Sequence, residues 1–129
     1  MNRGCLGKIL AHELGHNLGL YHTHENFGGN ELVDQSNCNV AGDYICDTAA
    51  DPNLNGKVGS DCSYTGLDVD SMGNSYKPPV NNIMSYTNDD CRTEFTKEQY
   101  DKMVSYMELL EPVFATFDMN IKLENSTSR

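Results

Sequence analysis

The stretch A-H-E-L-G-H-N-L-G-L-Y-H, residues 11–22, contains three of the four histidines in this chain. Five aliphatic residues in and before it recur at helical spacing: Leu6, Ile9, Leu10, Leu14 and Leu18. This spacing predicts a helix over residues 6–19, on which His12 and His16 share one face. The first helix of the chain is therefore also the one that carries the histidine cluster.

Two imidazoles four residues apart on a helix can bind one metal ion, and the carboxylate of Glu13 beside them is within reach of a water on that metal. A catalytic zinc ion takes three protein ligands and keeps one position open. His22 is the third candidate, although it would lie roughly 9 Å farther along the axis if the helix continued. Gly19 can end the helix in a left-handed conformation, so that the chain turns back. The sequence thus predicts a zinc site of three histidines with Glu13 as general base, while His24, outside this spacing, is interpreted as a polar loop residue.

Acidic residues outnumber basic residues by 19 to 9, which gives a net charge of −10. This charge disfavours nucleic acid and anionic membrane surfaces as partners and favours cations. No apolar run approaches the roughly twenty residues that span a bilayer, so no membrane span is predicted. Residues 1–10 are a poor signal peptide, so an export signal would lie on sequence that this chain lacks.

At 129 residues the chain has the length of one domain. Residues 22–90 show little periodicity and are rich in Gly, Asn, Asp and Ser, which is typical of an irregular region held by ligands and disulfides. Five cysteines are spread along the chain: Cys5, Cys38, Cys46, Cys62 and Cys91. We expect two disulfides among the last four, with Cys5 left over, and the three possible pairings stay open.

A second helix follows the irregular region. Thr96 and Gln99 have the pattern of a capping box, and apolar residues then recur at helical spacing until Pro112. This pattern predicts a helix over residues 97–110. The chain then divides into a domain and a polar tail, residues 1–117 and residues 118–129.

The full pattern H-E-x-x-H-x-x-G-x-x-H over residues 12–22 resembles the zinc signature of the metzincin peptidases. Metzincins also carry a methionine turn beneath the metal, and N-N-I-M-S-Y-T over residues 81–87 offers Met84 for it. Three segments resemble the pappalysin family in order and spacing, particularly its cytophagalysin and ulilysin-like branch: L-G-L-Y-H-T-H-E, G-D-Y-I-C-D-T-A-A-D-P and N-N-I-M-S-Y-T-N-D-D-C-R-T-E-F-T-K-E-Q-Y-D-K-M. This narrower resemblance covers most of residues 5–107.

The resemblance implies an α+β, metzincin-like fold, consisting mainly of the active-site helix, an irregular, loop-rich lower subdomain and a C-terminal helix. In metzincins an upper subdomain contributes a twisted sheet whose edge strand pairs with the extended substrate. Only eleven residues precede His12 here. We therefore expect the upper-subdomain sheet to be missing, and we expect an N-terminal subdomain of the same parent protein to be a partner.

The resemblance further implies a secreted zinc endopeptidase that acts on protein or peptide substrates. In this family Tyr86 would donate a hydrogen bond to the oxyanion. The middle segment is similar to a calcium-binding segment of the family, although Ala49 stands where the family has proline. Carried over by position, the calcium ligands are Asp43, Thr48 and the carbonyls of Gly42 and Ile45. Cys91 falls where the family places a disulfide cysteine.

Two other interpretations stay open. The chain could be a zinc- and calcium-binding fragment without effective proteolysis, since a site that does not position its substrate loses much of its rate. It could also be a non-catalytic binding module stabilised by calcium and disulfides, in which case Glu13 would have no role.

Overall fold

The structure, a computed structural model, describes residues 3–127, without the side chains of residues 117 and 125–127. Two α-helices lie at its ends: α1 over Arg3–Asn17 and α2 over Lys97–Thr127. Between them the chain is irregular except for a 3₁₀ turn at Asp89–Cys91. Within the described residues, strand pairing is limited to isolated bridges: Val58 with Tyr64 and Val69 with Ser75, both antiparallel, and Asn82 with Glu94, parallel. This small, helix-rich arrangement is consistent with part of a metzincin-like domain, in which the β content of an α+β fold is reduced to these bridges.

Helix α1 packs through a face that the aliphatic spacing did not indicate. Its buried residues are His12 and Gly15. The leucines of the predicted apolar face are instead more than half exposed: Leu6, Leu10 and Leu14. The packed face is set by Met84, because a Cβ on Gly15 would lie only 2.5 Å from the Met84 sulfur. A glycine therefore lets the helix approach the methionine closely.

The apolar core joins both helices to the irregular region. Five buried residues from four parts of the chain form it: Leu20, Ile45, Ile83, Met84 and Met103. Three partly buried residues pack against this cluster: Ala11, Leu18 and Phe95. Burying one such side chain contributes about 1.5–3 kcal/mol, so this cluster stabilises the position of α1 and α2 against the segment around Met84.

Disulfides and turn-capping side chains hold the irregular region. Cysteine pairing follows one of the three predicted alternatives, Cys38 with Cys46 and Cys62 with Cys91. Cys5 is free, so the prediction of two disulfides with Cys5 left over is confirmed. Asp70 is buried and accepts three backbone N–H groups from the surrounding turns. Such bonds satisfy backbone groups that a sheet would otherwise pair.

Helix α2 begins at the predicted capping box, which is confirmed. The Gln99 side chain accepts the Thr96 N–H at 2.8 Å, and the Gln99 N–H donates to the Thr96 hydroxyl at 3.2 Å. The predicted end of this helix, before Pro112, is wrong. The helix continues through Pro112, so residues 118–127 are helical. A proline inside a helix removes one backbone hydrogen bond. Here the carbonyl that loses this bond belongs to the exposed Glu108, where water can take its place.

Residues 128 and 129 of the predicted polar tail lie outside the described part. Over residues 3–127, neither helix combines the length and the apolar character needed to cross a bilayer. Helix α2 has 31 residues, but charged residues occur throughout it.

Candidate metal centre

Helix α1 holds two of the clustered histidines by their Nδ1 atoms. Nδ1 of His12 donates to the Ile83 carbonyl at 2.6 Å, and Nδ1 of His16 donates to the Leu20 carbonyl at 2.9 Å. Because a carbonyl only accepts, both rings carry their proton on Nδ1 and keep a lone pair on Nε2. Histidines that bind metals through Nε2 are held in this way.

The third histidine is brought back by the turn that ends α1. Gly19 has a φ of +87°. Its N–H donates to the His16 carbonyl at 3.0 Å, and the Leu20 N–H donates to the Gly15 carbonyl at 2.9 Å. These two bonds form a Schellman motif, which needs a left-handed residue at the position of Gly19. The chain reverses there, and His22 returns to the face that carries the other two histidines.

The Nε2 atoms of the three histidines converge. That of His16 lies 3.2 Å from Nε2 of His12 and 3.1 Å from Nε2 of His22. The candidate ligand atoms of all three lie within 4.8 Å of one another. Two nitrogens bound to one tetrahedral zinc ion are about 3.3 Å apart. Since lone pairs this close repel one another without a cation, the spacing and chemistry of these donors fit zinc.

The surroundings of the site favour the neutral forms of His12 and His22. Burial, helped by the neighbouring His16, lowers the pKa of His22 to about 4. Burial also lowers the pKa of His12, and the charge of Arg92 acts in the same direction on both residues. Only a neutral imidazole binds a metal ion, so the protein favours the metal-binding form near neutral pH.

The structure places the other residues indicated by the sequence as follows. Glu13 is exposed on α1. Met84 is completely buried, with its sulfur against Gly15. Tyr86 is 39% exposed, and its ring centroid lies 4.6 Å from that of His22. Tyr86 therefore packs against the cluster, and Met84 packs against the helix that carries two of its histidines, both from a segment far along the chain.

His24 forms part of the wall of this site, although the sequence indicates only a polar loop residue. Its ring is nearly parallel to that of His22, with centroids 4.9 Å apart, and lies 4.4 Å from the ring of Tyr86. Its Nδ1 atom is buried without a hydrogen-bond partner. Ligand spacing cannot reveal this contact, because it depends on the fold of the loop after His22.

Comparison with known proteins identifies the family. Residues 5–108 match the profile of peptidase family M43, described as pregnancy-associated plasma protein-A. The chain belongs to this pappalysin family. It is 37% identical over 105 residues to an extracellular metalloprotease of Sordaria macrospora and 31% identical over 108 residues to human pappalysin-1. Each alignment covers 78% of this chain but only 30% of the fungal protein and 6% of pappalysin-1, so the chain spans less than a third of the length of these relatives.

The calcium candidates of this chain form a second cluster. The Thr48 hydroxyl lies 2.9 Å from both carboxylate oxygens of Asp43 and 2.8 Å from the Ile45 carbonyl. One hydroxyl proton serves only one of these three acceptors. Asp43 and Thr48 are each 1% exposed. The Ile45 N–H also donates to Oδ1 of Asp43 at 3.0 Å. Buried oxygens that converge in this way suit a hard cation such as calcium.

Sequence reasoning missed Glu31, which lies against the same cluster. Glu31 is 4% exposed, and neither of its carboxylate oxygens has a hydrogen-bond partner. Gly42 makes room for it, since a Cβ at Gly42 would lie 2.7 Å from Oε2 of Glu31. Burial, with the nearby charge of Asp43, raises the pKa of Glu31 to about 7, and burial raises that of Asp43 to about 6. The orphaned carboxylate fits a cation site, but no spacing pattern marks Glu31 as a partner of Asp43.

Proposed function

We propose that this chain carries the metal centre of a secreted zinc-dependent endopeptidase, which hydrolyses peptide bonds in proteins. The convergence of the Nε2 atoms of His12, His16 and His22 carries the proposal. Membership of a peptidase family and relatives named extracellular metalloproteases support it. Two disulfides suit an oxidising, extracellular compartment.

His12, His16 and His22 would hold the zinc ion, which would serve as a Lewis acid for the scissile carbonyl and would lower the pKa of a bound water molecule. Glu13 accepts the proton of the attacking water and delivers it to the departing amine. Its exposure on α1 leaves the carboxylate accessible to water and substrate. The Nδ1 bonds of His12 and His16 hold both rings in the tautomer that presents Nε2.

Tyr86 stabilises the substrate carbonyl oxygen as negative charge develops on it, by donating a hydrogen bond from its phenol. Its ring packs 4.6 Å from that of His22 and 4.4 Å from that of His24, while the side chain stays partly open to solvent. Met84 supports the three histidines from below without binding the metal. The substrate is a protein or peptide, as the family implies.

We further propose a structural calcium site. Its ligands are Asp43, Thr48, Glu31 and the carbonyls of Gly42 and Ile45. The calcium ion offsets the charge of two buried carboxylates, whose raised pKa values reflect the cost of ionising them without a cation. A calcium ion held by these ligands would link residue 31 to the segment 42–48 and would take no part in the hydrolysis.

The proposal is tested by zinc content and proteolysis, measured on the same preparations of three proteins. These are the wild type, Glu13→Ala and the control Glu108→Ala, which removes an exposed glutamate on α2. All three should hold about one zinc ion per chain, as a site with three histidine ligands requires. Cleavage of an unfolded protein substrate should fall by a factor on the order of 10²–10⁴ in Glu13→Ala alone.

A wild-type chain that binds no zinc would contradict the proposal. A chain that binds zinc and cleaves nothing would favour a metal-binding fragment without effective proteolysis. Undiminished cleavage by Glu13→Ala would exclude Glu13 as the general base.

A further inference from the structure

The carboxylate of Asp51 joins separate segments of the irregular region. Its Oδ2 atom accepts hydrogen bonds from the Thr23 hydroxyl at 2.6 Å and from the Ser85 hydroxyl at 2.8 Å. Its Oδ1 atom accepts the Asn53 N–H at 2.8 Å. Thr23 is 1% exposed and Ser85 is completely buried. Two buried hydroxyls from distant segments and one N–H from its own segment therefore meet on the Asp51 carboxylate.

Both hydroxyls lie next to residues of the metal centre. Thr23 directly follows His22, and Ser85 directly follows Met84. The two segments are also joined by a backbone bond, from the Thr23 N–H to the Met84 carbonyl at 3.2 Å. Asp51 thus adds a charged bridge between the segment of the third histidine and the segment of the buried methionine.

His22 depends on such a bridge more than the other two histidines. The spacing of His12 and His16 follows from helix geometry, and backbone carbonyls hold their rings. His22 lies after the turn at Gly19, in a segment without helix or strand. The distance of His22 from His16 therefore depends on the tertiary contacts of the residues next to His22. Among these residues, the adjacent Thr23 is fully buried.

We propose that Asp51 is a positioning residue for His22 as third metal ligand, an inference that rests on the proposed three-histidine centre. An ionised carboxylate forms stronger hydrogen bonds than a neutral acceptor. Asparagine at this position has one acceptor oxygen, and its NH₂ group would face at least one of the three donors. Asp51→Asn therefore keeps the side-chain size but replaces the charged acceptor shared by Thr23 and Ser85 with a weaker, neutral one, which weakens the bridge.

Asp68 offers a matched control. Asp51 and Asp68 line the same cavity of about 350 Å³. The Asp68 carboxylate also accepts hydrogen bonds from two side chains, the Lys57 ammonium at 2.8 and 2.9 Å and the Tyr64 hydroxyl. Neither of these partners adjoins a histidine or the methionine of the site. Asp68→Asn therefore removes a comparable carboxylate without touching the bridge.

The test uses Co²⁺ in place of zinc, since its affinity and its visible absorption both report on the ligands. Affinity is measured by competition with a chelator, and the absorption bands respond to the number and geometry of the bound nitrogens. We expect Asp51→Asn to weaken Co²⁺ binding about 10- to 100-fold and to shift the bands. Asp68→Asn should change the affinity by no more than about twofold.

Thr23→Val and Ser85→Ala extend the test and replace it if Asp51→Asn does not fold, as judged by circular dichroism. Each removes one hydroxyl of the bridge and should weaken Co²⁺ binding, without adding to the effect of Asp51→Asn when combined with it. Wild-type affinity in these variants, or an equal loss in Asp68→Asn, would overturn the inference. A wild type that binds no Co²⁺ would instead overturn the proposed metal centre itself.

Discussion

Gly15 and Met84 are packed so closely that no side chain fits between them. A Cβ on Gly15 would lie 2.5 Å from the Met84 sulfur and 3.3 Å from its terminal methyl. Met84 is completely buried, so it has no solvent to move into. Because interiors are close-packed, this contact sets the rotation of α1 about its axis and with it the direction of His12 and His16.

Gly15→Ala should destabilise the protein by about 1–3 kcal/mol, because overpacking at Met84 outweighs the better helix propensity of alanine. Gly7→Ala is the matched control on the same helix, since a Cβ there has no heavy atom within 4 Å. It should stabilise the protein by roughly 0.5–1 kcal/mol. Urea unfolding of the metal-free proteins measures both changes. A Gly15→Ala variant more stable than the wild type would show that the Met84 side chain moves aside at little cost.

Glu31→Gln should raise the stability of the calcium-free protein and abolish its stabilisation by calcium. The substitution removes a buried negative charge that lies near the charge of Asp43. Thermal unfolding with and without calcium measures both effects. Glu108→Gln, at an exposed position on α2, should respond to calcium as the wild type does. A calcium response that survives Glu31→Gln would remove Glu31 from the proposed site.

Calcium should stabilise the protein more at about pH 8 than at about pH 5. Burial raises the pKa of Glu31 from 4.5 to about 7 and that of Asp43 from 3.8 to about 6. Folding without calcium therefore takes up protons, so the stability supported by these groups is complete below about pH 4 and is lost as the pH rises towards about 7.

Calcium competes with these protons, so its effect on the unfolding temperature grows over the same range. Melting curves at both pH values, with a chelator or with calcium, measure the difference. Comparing the calcium-dependent change in unfolding temperature between the wild type and Glu31→Gln separates the effect of the proposed site from that of surface carboxylates. An equal calcium effect at both pH values would argue against a site at Glu31 and Asp43.

Removing the disulfide Cys62–Cys91 should cost more stability than removing Cys38–Cys46. The cysteines are 29 residues apart in the first pair and 8 residues apart in the second. Loop-closure entropy then predicts losses of about 3.5 and about 2.5 kcal/mol. Double Cys→Ser variants of each pair, unfolded in urea, measure the two losses, and Cys5→Ser serves as the control because Cys5 is free. A larger loss for the shorter loop would point to enthalpic contacts instead.

Local spacing explains what could be predicted from the sequence. His12, Glu13 and His16 are related by helix geometry alone, and Gly19 is where the chain must leave the helix for His22 to return. Thr96 and Gln99 likewise make their capping box within one helical turn. Each of these features depends on residues only a few positions apart, so the pattern determines the local structure. The end of α2 was predicted wrongly, because Pro112 weakens a helix locally but does not stop one whose exposed carbonyls water can hydrate.

Tertiary structure decided the features that join distant segments. It placed Met84 beneath Gly15, Tyr86 beside His22, and Asp51 between Thr23 and Ser85. It also selected the disulfide pairing and brought Glu31 to the calcium candidates. None of these contacts has a fixed spacing, because the irregular chain between the helices can bring many pairs of residues together. Packing around the buried core and the need to pair buried hydrogen-bonding groups determine which residues meet.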